Sequence, residues 1–171
     1  LPTSITFLDA KSATTSLQFD ILENDIEVIT GTGDDSIRLN GASATISTGD
    51  GQDIINISGG TANINTGKGN DTVLMSGGTA DINLGDGNDA LIIQDTQTIF
   101  DIRTLNGGDG IDRLTILNPA TLNLPASTNI EFLSLTNATH QSLDISSSGF
   151  SSVELKSGAT QNGRKTSINL G

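Results

Sequence analysis

The chain has 171 residues and a formal charge of −12, with 20 Asp and Glu against 8 Lys and Arg. That excess argues against a nucleic-acid backbone as partner, which needs clustered basic groups, and points to cations instead. Cysteine is absent, which removes thiolate catalysis and Cys-type zinc sites, and no stretch approaches the roughly 20 apolar residues of a membrane-spanning helix.

The remaining composition favours strands and turns. Ile, Leu, Val and Ala are mixed with 20 Gly and abundant Thr, Ser, Asn and Asp, and five Phe are the only aromatic residues. The start at Leu1, without an initiating Met or a visible signal peptide, reads as a piece of a longer protein. Leu17, Phe19 and Ile21, then Ile26 and Val28, form two short strand patterns. Residues 1–30 are therefore expected to be a capping coil.

From position 31 the sequence repeats at a fixed spacing: GTGDDSIRL (31–39), GDGQDIINI (49–57), GKGNDTVLM (67–75) and GDGNDALII (85–93). Gly31, Gly49, Gly67 and Gly85 share one column, Gly33, Gly51, Gly69 and Gly87 a second, and Asp35, Asp53, Asp71 and Asp89 a third. A fifth copy, GGDGIDRLTI (107–116), arrives late, behind a short insertion, and carries Gly108, Gly110 and Asp112. Between the copies lie NGASATIST (40–48), GGTANINT (59–66) and GGTADINL (77–84), with Ile46, Ile64 and Ile82 in register. Each row thus holds two short strands and two Gly-rich turns, one coil of an all-β, parallel solenoid. A single coil cannot bury its apolar face, so neighbouring coils must stack.

The pairs Ile37/Leu39, Ile55/Ile57, Val73/Met75, Leu91/Ile93 and Leu114/Ile116 alternate with polar residues and predict one wall. Ala44/Ile46, Ala62/Ile64 and Ala80/Ile82 predict the opposite wall. Residues 31–116 are expected to form this repeat region. Residues 117–171 keep a strand rhythm (TLNL, IEFLSL, SLDIS, SSVELKS and SINL) and predict a looser solenoid without metal turns.

Lys68, between Gly67 and Gly69, gives the third copy a passing likeness to a phosphate loop. That loop needs Ser or Thr directly after the lysine and a helix behind it, and here a strand follows. Lys68 shares its column with Thr32, Asp50, Asp86 and Asp109, so it is expected to face solvent.

The chemistry falls to the aspartates. The glycines allow a tight turn whose carbonyls point inward, and the Asp closing each turn directs a carboxylate at the gap between successive turns. Carbonyl and carboxylate oxygens are hard ligands, and Ca²⁺ takes six to eight of them at roughly 2.3–2.6 Å, whereas Mg²⁺ demands strict octahedral geometry. A metal-free solenoid would use Asp and Gly only to turn, but Asn or Ser would then serve equally in the third column, where all five copies hold Asp.

These rows resemble the RTX nonapeptide G-G-x-G-x-D-x-U-x, a calcium-binding β-roll repeat. GGDGIDRLT (107–115) matches every specified position, and the other four copies depart only at the first, occupied by Thr30, Thr48, Thr66 and Leu84 and expected to contribute mainly backbone. The resemblance implies several calcium ions, held between Asp35 and Asp53, Asp53 and Asp71, Asp71 and Asp89, and Asp89 and Asp112, with the turn carbonyls as further ligands. The alternate turns, such as SGGTAN, lack the aspartate, so the row is one-sided.

The tail, NIEFLSLTNATHQSLDISSSGFSSVELKSG, resembles the segment that follows the last nonapeptide in RTX-type bacterial surface-layer proteins. It implies a non-enzymatic structural segment, secreted by a type I system to the cell surface and ordered by calcium there. The rivals are a large adhesin or an accessory module of a secreted epimerase, protease or lipase. Expected partners are calcium, neighbouring copies in a lattice or a cell-surface glycan, with no nucleic acid and no membrane insertion. Calcium-dependent lyases on β-helices pair acids with a basic residue. Here Arg38, Arg103 and Arg113 are available in principle, but Arg38 and Arg113 read as surface charge balance, lone His140 as a surface loop residue, and NAT (137–139) as a chance glycosylation match.

Overall fold

The computed structural model describes residues 5–22, 25–94, 100–117, 125, 127–136, 142–144, 150–156 and 167–169. The chain is an all-β, parallel solenoid of about six turns with about 18 residues per turn, and the described residues include no helix. The opening strands are β1 (Phe7–Asp9), β2 (Gln18–Ile21) and β3 (Ile26–Ile29), followed by β4 (Ser36–Leu39) and β5 (Ser43–Asp50). Two long strands, β6 (Ile54–Lys68) and β7 (Thr72–Gly87), each run through both walls of a coil. After them come β8 (Ala90–Ile93), β9 (Phe100–Gly110), β10 (Arg113–Leu117), β11 (Ser127–Thr128) and β12 (Phe132–Thr136). The last are β13 (Ser142–Asp144), β14 (Ser152–Lys156) and β15 (Ser167–Asn169).

One wall stacks β2, β4, the first halves of β6 and β7, then β8, β10, β12 and β14. The other stacks β1, β3, β5, the second halves of β6 and β7, then β9 and β11. β13 and β15 form a separate two-stranded pair. Register follows the sequence columns: Phe19 lies beside Ile37, Ile37 beside Ile55, Ile55 beside Val73, Val73 beside Leu91, and Leu91 beside Leu114. The predicted capping strands join in the same columns, with Ile26 beside Ala44 and Val28 beside Ile46.

Because strand side chains alternate, one residue in two from each wall meets the other inside the coil. Ile37, Leu39, Ile55, Ile57, Val73, Met75, Leu91, Ile93, Leu114 and Ile116 from one wall face Ile46, Ala62, Ile64, Ala80, Ile82, Ile102 and Leu105 from the other, all buried. Leu133 and Leu135 extend the first wall beyond the motif rows, beside Leu114 and Ile116. Outward positions carry the arginines: Arg38 pairs with Asp20 (3.6 Å), Arg103 with Asp81, and Arg113 with Glu154 (3.8 Å) while lying over the Phe132 ring. Exposed pairs of this kind contribute little to stability, and Arg38 and Arg113 occupy the surface positions expected of them. TLNL (121–124), NAT (137–139) and His140 lie outside the described residues.

The insertion before the fifth copy enters at the corner opposite the aspartates. Met75 pairs with Ile93 at the regular spacing, but Gly78 already pairs with Phe100 and Ile82 with Leu105. The last residue of the insertion is absorbed by a bulge between Ala80 and Asp81, where Ala80 pairs with Ile102 and Asp81 with Thr104. Past the bulge the motif corner is back in line, with Gly85 beside Gly108 and Gly87 beside Gly110.

Candidate metal corner

The five motif turns stack so closely that each glycine column faces a carbonyl of the turn before. A Cβ on Gly69 would fall 1.6 Å from the Gly51 carbonyl oxygen, and one on Gly87 would fall 1.5 Å from that of Gly69. Both glycines also hold positive φ, +143° and +152°, which side-chain-bearing residues rarely adopt. The same close approach recurs at Gly49 and Gly67, at Gly85 and Gly108, and at Gly51 and Gly110. Gly31 and Gly33 meet instead the backbone of Ala13 and Thr15, the capping turn that has neither motif glycine nor motif aspartate.

Asp35, Asp53, Asp71, Asp89 and Asp112 are all buried, at 2%, 1%, 1%, 2% and 0% exposure. Their Oδ1 atoms form a directional ladder. The N–H of Leu17 donates to Asp35 (2.8 Å), that of Asp35 to Asp53 (2.7 Å), and those of Asp53, Asp71 and Asp89 to Asp71, Asp89 and Asp112 (2.8 Å each). Asp89 and Asp112, separated by the longer coil, keep the same geometry as the regular rungs. In every one of the five, Oδ2 is buried without a hydrogen-bond partner.

Burial dominates the electrostatics. It pushes the Asp53 carboxyl up to about 6, against the amide of Asp35, which holds it down, while the Asp71 and Asp35 carboxylates add to the rise. Burial likewise lifts Asp89 to about 6 and raises Asp71 and Asp112, the last also through the charge of Glu131. Carboxyls near 6 are mostly ionised at neutral pH. The corner therefore holds a line of buried negative charge, spaced by about one strand separation, with one oxygen of each carboxylate unpaired.

The donor set suits a hard cation. The Gly51 carbonyl and Asp71 Oδ1 approach the same point beside Gly69, and the Gly69 carbonyl and Asp89 Oδ1 the same point beside Gly87. Oxygen is the only donor element offered there, which fits Ca²⁺ and excludes a thiolate or imidazole metal site. Among the described residues no three His, Cys, Asp or Glu side chains come together in one group. Any ion in this corner would accordingly draw part of its shell from backbone carbonyls.

Three parts of the corner escape a motif reading. Thr30, Thr48 and Thr66 fill the first motif column and are buried. Thr30 Oγ1 donates to the Thr48 carbonyl (2.6 Å), Thr48 Oγ1 to that of Thr66 (2.8 Å), and Thr66 Oγ1 to that of Leu84. This position does more than supply backbone, which its spacing in the sequence does not show. Outside the turn, Asp34, Asn70 and Asn88 accept from the amides of Gln52, Asn88 and Ile111. Finally, Glu131 Oε2 accepts the Asp112 N–H at 2.7 Å and extends the acid ladder by a sixth rung. Lys68, in contrast, is exposed and lies in register between Asp50 and Asp86, as its column predicts.

The fold and corner define a parallel β-solenoid with one acid-lined edge. No family model matches the chain, and no curated protein or solved structure matches it either. No helix among the described residues is long and apolar enough to cross a membrane.

Proposed function

We propose that this chain is a calcium-binding structural segment of the RTX type, ordered by a one-sided row of Ca²⁺ ions along the aspartate corner. The observation that carries this reading is the set of five buried aspartates, each with an unpartnered Oδ2. Buried ionised carboxylates are costly without counter-charge, and a proton held with a pKa near 6 supplies little of it at neutral pH. A divalent cation that accepts carbonyl and carboxylate oxygens together meets the need, and its binding energy becomes folding energy. Circular dichroism in chelator and then in excess Ca²⁺ tests it: ordering on addition of calcium is expected, and an unchanged spectrum defeats the reading.

A second reading has its own support. The Oδ1 bonds to successive amides would let the aspartates serve as turn caps alone, in a solenoid that needs no metal. Equilibrium dialysis against ⁴⁵Ca²⁺ separates the two, since caps alone bind no calcium.

On the wider role, the resemblance of the tail supports a secreted, non-enzymatic, bacterial surface-layer segment exported by a type I system, with an adhesin or an accessory module of a secreted enzyme as the alternatives. The three candidate arginines engaged with acids at the surface fit a structural role. Electron microscopy of the parent protein after calcium addition tests the surface-layer assignment, for which a two-dimensional lattice is the expected result.

A further inference from the structure

The sixth turn departs from the motif. Where the fifth turn takes Gly107–Asp112 to pass from one wall to the next, the sixth needs only Asn129–Glu131, since Asn106 pairs with Thr128 and Arg113 with Phe132. Asn129 makes this short path by adopting φ +53°, the left-handed conformation that asparagine tolerates better than most side chains. Its side chain is tied back by Nδ2 donating to Asn106 Oδ1 at 3.4 Å. Glu131, one methylene longer than aspartate, then reaches the Asp112 amide that a motif aspartate would have capped.

The shortened turn changes what lies beside Gly107. In the earlier rows a threonine hydroxyl of this column donates to the carbonyl of the next turn. Gly107 has no such hydroxyl, and the Asn129 carbonyl oxygen falls 1.7 Å from the place its Cβ would occupy. Asp112 Oδ2 lies 2.4 Å from the same place. A carbonyl oxygen and a carboxylate oxygen thus converge beside Gly107, and Oδ2, itself fully buried, has no hydrogen-bond partner. The Glu131 carboxylate stands beside them on the Asp112 amide. The two converging oxygens, with the Glu131 carboxylate on the adjoining amide, repel unless positive charge joins them.

We propose that the cation row runs one turn past the last Gly-x-Gly-x-Asp copy, into a closing site for a calcium-type divalent cation formed by Asp112 Oδ2, the Asn129 carbonyl and the Glu131 carboxylate. This rests on the calcium reading of the five motif turns and adds to it a ligand set that no nonapeptide supplies. Glu131 is the residue that makes the site distinct, because its amide-capping oxygen and its charge can be separated. Glu131→Gln keeps an oxygen for the Asp112 N–H and removes only the charge.

The test counts calcium ions per chain by native mass spectrometry on the wild-type protein, Glu131→Gln and Asp71→Asn. The expected result is one ion fewer in Glu131→Gln, with unchanged circular dichroism at saturating Ca²⁺. An equal count in Glu131→Gln and wild type, alongside a reduced count in Asp71→Asn, overturns the closing site and leaves the motif row standing. No calcium on the wild-type chain overturns both. Should Glu131→Gln fail to fold, the wild-type count still decides: an ion beyond those filling the gaps between successive motif aspartates supports the closing site, and a count that stops at those gaps overturns it.

Discussion

Every coil of this solenoid turns twice, and the two corners are built on different principles. The aspartate corner has fixed length through five copies, buried acids, and glycines pressed against the carbonyls below them. The opposite corner holds no buried acid among the described residues, although Gly60 there is also pressed against a carbonyl, that of Ala42, at a positive φ. Ser58 Oγ donates to Asn40 Oδ1 (2.9 Å) at an exposed position, the strand register slips between Ile57 and Thr61, and the fifth coil admits extra residues between Ile93 and Phe100. Length varies where water can solvate the backbone and stays constant where each turn must meet its neighbour atom for atom.

The sharpest way to break this contrast is to add one methyl group to each corner. Gly69→Ala puts a Cβ 1.6 Å from a carbonyl oxygen at a φ that alanine avoids, so it should cost more than about 3 kcal/mol and prevent ordering of the middle turns. Gly41→Ala at the other corner has a positive φ, +77°, but meets nothing within 4 Å among the described residues, and its cost should stay near about 1 kcal/mol. Chemical denaturation of both variants measures the difference, and equal losses would mean the corners are not distinct.

Asp71→Ala comes next. It strips the cap from the Asp53 amide, worth about 1–3 kcal/mol, and also removes one buried charge, which offsets part of that loss when no cation is present. Melting should therefore shift little in chelator and fall steeply in Ca²⁺, with affinity lowered by at least about tenfold at two adjoining positions. Similar shifts in both buffers would assign the aspartate a capping role alone.

Acid offers a subtler probe of the same corner. The Asp53 and Asp89 carboxyls sit near 6, above the ordinary value of 3.8, so the folded chain binds more protons than the unfolded chain between those limits. Without calcium, stability should rise as pH falls from about 7 to about 4.5, by something on the order of 2 kcal/mol. With calcium the sign reverses, because the cation binds the ionised form. Thermal melts at both pH values with and without chelator read the two slopes directly.

The smallest effect belongs to Lys68→Ala. Its side chain is exposed between Asp50 and Asp86 in the outward column, and calcium binding should survive its loss with stability within about 0.5 kcal/mol of the wild type.

Much of this architecture is legible in the sequence because a solenoid repeats itself. The strict period alone places Ile37, Ile55, Val73 and Leu91 in one ladder, and the capping strands follow from the same columns. The burial of the aspartates follows from their position at the strand entrances. What the period cannot reveal is the use of each carboxylate's two oxygens, because that depends on where a neighbouring amide points. Nor does it show Glu131, since NIEF keeps the acid before an apolar strand but shortens the turn, and pattern matching by fixed spacing passes over it. The threonine column is visible in the rows, but its spacing says nothing of its hydroxyls, which join one turn to the next.

The aspartate ladder also has a direction. Each carboxylate closes the turn that was synthesised before it, from Leu17 capped by Asp35 to Asp112 capped by Glu131. A turn emerging from a ribosome N-terminus first is thus unfinished until its successor arrives. Shortening the array from the C-terminal side leaves a bare amide on the last remaining rung, whereas shortening it from the N-terminal side releases a carboxylate oxygen that water solvates readily. The two ends of the same stack are therefore unequal places to cut, to fuse or to extend, and the N-terminal end is the more forgiving.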